Sequence, residues 1–157
     1  MTIPAREPLG EIELRYVAEA QPTTPPGRSL LPYLGSGDGQ VLSGPLRGRI
    51  RFSTFEDDLS GQSCLVSGAG ACALNVAVLI ETDDAAEVRL DALGYAVRDG
   101  GTRWRTTLGV RAASDDPRYM WLGGHLLTWL GEFDEKTGAA RAELFGRPPE
   151  DSDEFGD

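Results

Sequence analysis

The chain reads as an all-β protein: an antiparallel flattened β-barrel of about eight to ten short strands with little helix. Three observations point there. Apolar and polar residues alternate along most runs long enough to show a period, so successive side chains face opposite sides of a sheet. The 20 glycines and 10 prolines fall between those runs rather than in blocks, the punctuation of a turn-rich chain. Most connections have hairpin length, and Asp99-Gly100-Gly101 offers residues that tolerate positive φ. A sheet of that size closes, which removes its unpaired edges, or splits into two. Closure is the first reading and a two-sheet sandwich the second.

The strands follow in order. From Leu9, the residues Ile12, Leu14, Tyr16 and Ala18 share one face, and Glu11, Glu13 and Arg15 the other. Gln21 to Gly27 breaks the pattern with three prolines. A short strand over Arg28–Leu34 is expected to end at the glycine-rich run Gly35–Gly39. Val41 to Phe52 reads as one strand interrupted at Gly44-Pro45, because proline cannot donate to a ladder; a bulge or barrel corner is expected there. Asp57–Gly61 turns the chain into a strand near Gln62–Ser67, and Gly68–Gly70 turns it into Cys72–Thr82. Thr82-Asp83-Asp84 leads to Ala86–Arg98, and the Asp99–Gly101 hairpin to Thr102–Ala112. Ser114–Pro117 is a polar turn, Tyr119–Leu122 a single helical turn, and His125–Phe133 extended. A loop over Asp134–Gly138 precedes the last strand, Ala140–Phe145.

At 157 residues the chain suits one domain, which buries about two-thirds of its unfolded surface. The barrel is expected over residues 9–147, with a loose N-terminus at 1–8 and an acidic disordered tail at 148–157. The net charge is −10, and half of it comes from Glu150, Asp151, Asp153, Glu154 and Asp157. Such a field repels phosphate backbones and anionic lipids, so nucleic acid and membranes are excluded as partners. With no apolar run of transmembrane length and no leader pattern, the expectation is a cytoplasmic protein. In that compartment Cys64 and Cys72 are expected to be free thiols. Exposed strand edges admit a symmetric homodimer.

Familiar chemistries find little support. No Gly-x-Ser-x-Gly surrounds Ser36 or Ser43. Gly35-x-Gly37-x-Gly39 lacks the spacing of a phosphate loop. The pairs Asp57-Asp58, Asp83-Asp84 and Asp115-Asp116 sit in turns, where Asp caps its own backbone; no metal site is expected. What remains is an aromatic and arginine set. All three tryptophans and the single histidine lie between Trp104 and Gly131. Tyr16, Tyr95, Trp104, Trp121 and Trp129 either fill the core or wall a cavity. Arg105 either snorkels to solvent or, with Tyr119, donates hydrogen bonds to a developing enolate or phenolate oxygen. His125, or a carboxylate such as Glu13 or Asp91, then moves a proton.

Several segments resemble signatures of the DUF3237 family, also called UPF0311. They are Gly27-Arg28-Ser29-Leu30-Leu31-Pro32 with Ser43-Gly44-Pro45-Leu46-Arg47-Gly48, then Thr82-Asp83-Asp84, Trp104-Arg105-Thr106-Thr107 and Asp116-Pro117-Arg118-Tyr119-Met120-Trp121-Leu122. The similarity runs in family order from Leu9 to Phe145 and implies a small β-barrel, lipocalin-like in outline, with a central cavity. It implies no particular reaction. The chain also departs from the family. Asn75 stands where members carry Asp, Gly123 and Ala92 where they carry Asn, and Arg111 where they carry Glu. Arg51–Phe55 replaces a Gly-Gly-Ala-Asp-Trp type of run.

The functional expectation is a cofactor-independent barrel that isomerises, cyclises or (de)hydrates a small aromatic or polyketide-like metabolite. Arg105, Tyr119 and His125 would be catalytic, with Tyr16, Asn75, Tyr95, Trp104, Trp121 and Trp129 around the ligand. The alternatives are a barrel that only binds an apolar metabolite, or a solidly packed domain.

Overall fold

A computed structural model describes residues 7–17, 21–23, 33–56 and 70–146. Eight strands, each paired to its sequence neighbours, form a closed antiparallel barrel: β1 (Glu7–Tyr16), β2 (Tyr33–Val41), β3 (Gly48–Glu56), β4 (Ala71–Thr82), β5 (Glu87–Arg98), β6 (Arg103–Ala113), β7 (Leu126–Asp134) and β8 (Ala139–Gly146). β8 returns to β1, with Ile12 opposite Ala142 and Leu14 opposite Ala140. A 3-10 helix, Pro117–Gly124, joins β6 to β7. Closure leaves none of the eight strands with a free edge, which removes the edge-based ground for a dimer.

Two expected elements are corrected. The glycines at 35, 37 and 39 do not end a strand; they lie inside β2. A Cβ on Gly37 would sit 1.9 Å from Arg15 O, and one on Gly35 would sit 2.8 Å from the Tyr16 ring. The glycines therefore let β2 press against β1, a close approach that any larger residue would block. Nor is 41–52 one bent strand. Residues 42–47 form a hairpin loop with Gly44 at φ 84°, while the register shifts fall at Pro8/Gly10 and Tyr33/Gly35. The hairpin at 99–101 is as expected, with Gly100 and Gly101 at positive φ. Arg28–Pro32, Gln62–Ser67, the first six residues and the acidic tail lie outside the described residues.

Alternation divides the barrel into two faces. Ile12, Leu14 and Tyr16 point inward from β1, and Val76, Val78 and Ile80 from β4. One end is filled by apolar side chains: Leu9, Leu46, Ile50, Val88 and Leu127 belong to one buried cluster with Tyr119 and Leu122 of the 3-10 helix.

A polar clamp holds that helix in place. Asp116 caps it, its Oδ1 accepting from Arg118 N at 2.9 Å, as an N-terminal Asp does. The Arg118 guanidinium donates back to Asp116 at 2.7 and 3.0 Å and lies 3.0 Å from Asp84 Oδ2 on the β4–β5 turn. Tyr119 Oη and Thr82 Oγ1 also donate to Asp84. The turn reading of Asp84 and Asp116 therefore holds. The Thr82–Asp84 and Asp116–Leu122 segments, far apart in sequence, close one end of the barrel together.

Candidate functional site

The other end is less tightly filled by the described residues. Small residues face inward there, Ala96 on β5, Thr106 on β6, Gly131 on β7 and Ala140 on β8, and the space they leave is a cavity of about 260 Å³. Its walls are mainly apolar and aromatic. Tyr16 packs edge-on to Phe52 at 4.9 Å and against Phe133 at 5.0 Å, while Trp104, Leu108 and Trp129 close the opposite side. A cavity bounded mostly by apolar groups with a few polar atoms is the usual form of a small-ligand pocket.

The polar atoms are few and placed in two groups. Within the wall, Tyr16 Oη and Thr54 Oγ1 share a hydrogen bond of 2.6 Å. At the mouth, Glu135 accepts from Trp104 Nε1 and from Arg98 Nη2 at 3.2 Å. The Arg98 guanidinium lies over the Trp104 ring at 4.4 Å, a cation–π contact that fixes the indole plane. Glu135 belongs to the β7–β8 turn, whose backbone is tied to the β5–β6 hairpin by Glu135 N donating to Thr102 O at 2.9 Å. Nearby, Asp134 accepts from Thr102 Oγ1 and Lys136 N, which holds its carboxyl below the usual range. These two hairpins frame the entrance.

Cys72 also lines the cavity and is disulfide-bonded; Cys64 lies outside the described residues. This corrects the free-thiol expectation for Cys72. Its Sγ is 4.0 Å from Oε1 of Glu56, a buried inward-facing residue opposite Leu74, and as a disulfide sulfur it has no proton to donate.

Of the expected site residues, the barrel brings Tyr16, Trp104 and Trp129 together and disperses the rest. Arg105 follows Trp104 by one residue, so period-2 alternation turns it outward, where it pairs with Asp99 at 3.1 Å. Tyr95 is 66 % exposed on the outer face of β5. Asn75 lies between inward Leu74 and Val76 and so faces out. It is buried there, with Nδ2 donating to Asp91 Oδ1 at 2.6 Å and Ala92 O at 3.0 Å. That bond occupies Asp91 on the outer face, and Glu13 stands exposed opposite Gln40.

Tyr119, Trp121 and His125 sit at the closed end. Tyr119 is spent on the clamp; burial, then the bond to Asp84, raises its phenol pKa. Trp121 meets His125 edge to face at 5.8 Å. The proposed catalytic trio is thus divided between the outer wall and the far end. Phe52, Thr54 and Phe133 were missed, although alternation carried on from Ile50 and from Trp129 would have found them. Glu135 had no such signal, since only tertiary contact brings its turn over Trp104.

A larger depression of about 510 Å³ lies outside, along β1, β2, β7 and β8. Charges of both signs line it, including Arg15, Asp38, Glu132 and Arg141, and it opens to solvent. The aromatic-walled cavity is the better candidate for selective binding. Among the described residues, no cluster of three or more His, Cys, Asp or Glu is gathered as for a metal. No helix there is long and apolar enough to cross a membrane.

No family profile and no curated protein matches the chain. Solved structures do. A protein of unknown function from Clostridium acetobutylicum ATCC 824 matches at TM-score 0.61 and 12% identity, over 92% of this chain and 100% of its own. A beta-barrel like protein from Acinetobacter baumannii AYE matches at TM-score 0.61 and 16% identity, over 93% and 98%. A conserved protein of unknown function from Rhodopseudomonas palustris matches at TM-score 0.56 and 14% identity, over 92% and 99%. At these identities the likeness is one of fold: the chain shares its barrel with proteins whose functions are open.

Proposed function

We propose that this barrel binds one small, largely apolar ligand in its aromatic-walled cavity, and that Arg105, Tyr119 and His125 perform no chemistry on it. The observation that carries this reading is an aromatic-walled cavity of about 260 Å³ at the end of the barrel away from the buried cluster around the 3-10 helix. An apolar cavity of roughly 150 Å³ suffices for benzene, so this one suits a single substituted ring. The separation of the expected catalytic residues favours binding over transformation. Membership of the DUF3237 family is likewise our proposal. It rests on the sequence motifs, and the contact between two of them in the Asp84–Tyr119 clamp supports it. The disulfide at Cys72 favours an oxidising setting over a reducing cytoplasm.

The test is a thermal-shift screen of one- and two-ring compounds, with native mass spectrometry of the freshly purified protein. A ligand at a hundred times its Kd stabilises by about 2.7 kcal/mol, a rise of several degrees in Tm for a chain of this size. Absence of any shift across the panel, together with no co-purifying mass, would overturn the proposal.

A further inference from the structure

We infer that the outer wall formed by β5, β6 and β7 is a self-association surface. A second copy of this chain docks on it face to face, about a two-fold axis that runs along the strands between β6 and β7. The contact uses a face and not an edge, since the eight strand edges are paired, and it is independent of the cavity and its ligand.

Among the described residues, six large apolar side chains are exposed: Val17, Tyr95, Val97, Met120, Leu126 and Leu130. All but Val17 belong to β5, to β7 or to the helix between β6 and β7. On the outer face Tyr95, Thr107 and Leu130 form one cross-strand row, and Leu93, Gly109 and Thr128 form the next. Neither row carries a charge. A Cβ on Gly109 would find its nearest neighbours, Leu126 Cδ1 and Leu93 O, 3.9 Å away, so the centre is a shallow dip. The flanking rows are charged, with Asp91 and Arg111 on one side and Arg105 and Glu132 on the other. An apolar centre within a polar rim is the anatomy of a protein–protein interface, and contiguous exposed apolar surface marks such sites.

The register makes this face complementary to itself. Across β6 and β7, Arg105 stands opposite Glu132, Thr107 opposite Leu130 and Arg111 opposite Leu126. A two-fold along these strands lays β6 of one copy over β7 of the other in the same rows, an isologous contact in which each pairing occurs twice. Arg105 then meets Glu132 of the second copy, and Leu130 meets its Thr107. Arg105 already pairs with Asp99 at 3.1 Å, so its guanidinium bridges two carboxylates. A two-fold along β6 alone would stack each arginine on itself, and one running across the strands would bring Arg105 onto Arg111; like charges disfavour both. Facing sheets keep their strands within about 30° of each other, a mismatch that long Arg and Glu side chains span. The wall is convex, which confines contact to two or three strands and sets the area below about 1,200 Å² in total, the class of weak, transient pairs. The net charge of −10 opposes association, but at about 0.15 M salt the Debye length is about 8 Å, so contact pairs outweigh the distant charges.

Sedimentation velocity of the full chain, from about 10 µM to 1 mM at physiological salt, tests this. The wild type should shift from monomer to dimer across that range. Arg105→Glu sets two Glu–Glu contacts in each dimer and Glu132→Arg two Arg–Arg contacts, so either variant alone should associate about tenfold more weakly or worse. An equimolar mixture of the two should recover the wild-type dimer, because every facing pair in the mixed dimer is again of opposite sign. No effect confined to one chain can produce that recovery. Leu130→Lys, which stands beside Glu143, should abolish association while its melt, taken where the wild type is monomeric, stays unchanged. A monomer at every concentration, or a mixture that fails to recover the dimer, would overturn the inference. Association that appears only once residues 148–157 are removed would assign the face to that tail and overturn it as well.

Discussion

Trp104 and Arg105 are neighbours in sequence and strangers in space. One faces the cavity beneath the Arg98 guanidinium, and the other faces solvent beside Asp99. The alternation that separates them was readable in Trp104, Thr106, Leu108, Val110 and Ala112, but chemical appeal put both residues in one site. Replacing Arg105 by alanine should leave ligand affinity unchanged and shift stability by less than about 0.5 kcal/mol, as surface substitutions do; titration calorimetry and thermal melts check both. Tyr119→Phe should behave differently. It removes the hydroxyl that donates to Asp84 and should cost about 1 kcal/mol, seen as a Tm lower by roughly 2–4 °C, with ligand affinity again unchanged. A loss of affinity in either variant would return these residues to the site. Filling the cavity with Ala140→Phe should do the opposite, abolishing binding while the fold persists.

Among the elements, the strands were legible because their period is strict, and the exceptions have physical reasons. β2 looked like a loop because glycines at 35, 37 and 39 have no side chain to display a period, yet they are what allows its backbone to approach β1. Gly94 on β5 is in the same position, since a Cβ there would lie 2.1 Å from Thr107 O. Gly94→Ala should therefore destabilise by about 1–3 kcal/mol, measured as a lower urea midpoint; an unchanged midpoint would mean the strands relax freely. The 3-10 helix was visible as a single turn, but its role as a plug was not, because that depends on Asp84 arriving from another hairpin. Its cap makes a pH prediction. Hydrogen bonds from Arg118 depress the Asp116 carboxyl to about 2, below its ordinary 3.8, and bonds from Thr82 and Tyr119 lower Asp84 as well. A depressed carboxyl stabilises the fold above its unfolded value, and that contribution fades as pH falls through the folded value. The stability gap between wild type and Asp116→Asn should thus be full at pH 5 and close between about pH 4 and pH 2. A gap that stays constant across that range would contradict the cap.

For the whole molecule, closure by β1 and β8 was expected from the number of strands and the cost of open edges. Strand parity puts loop 42–47, the Asp84 turn and the 3-10 helix at one end, but that the helix would plug it could not be read, because this depends on the side-chain contacts of Tyr119 and Leu122. The cysteines were misjudged: the cytoplasmic expectation made Cys64 and Cys72 free thiols, whereas Cys72 is disulfide-bonded at the cavity wall. Reduction, or Cys72→Ser, should lower stability by about 2–4 kcal/mol; a melt unaffected by a reducing agent would contradict the bond. The central claim remains that the aromatic-walled cavity holds a ligand. Anomalous diffraction from a crystal soaked in 4-bromophenol tests it most directly. The account expects one ordered bromine within the cavity between Trp104, Trp129 and Phe133. A bromine found only in the outer charged depression, or none inside a barrel whose aromatic side chains have closed the space, would contradict it.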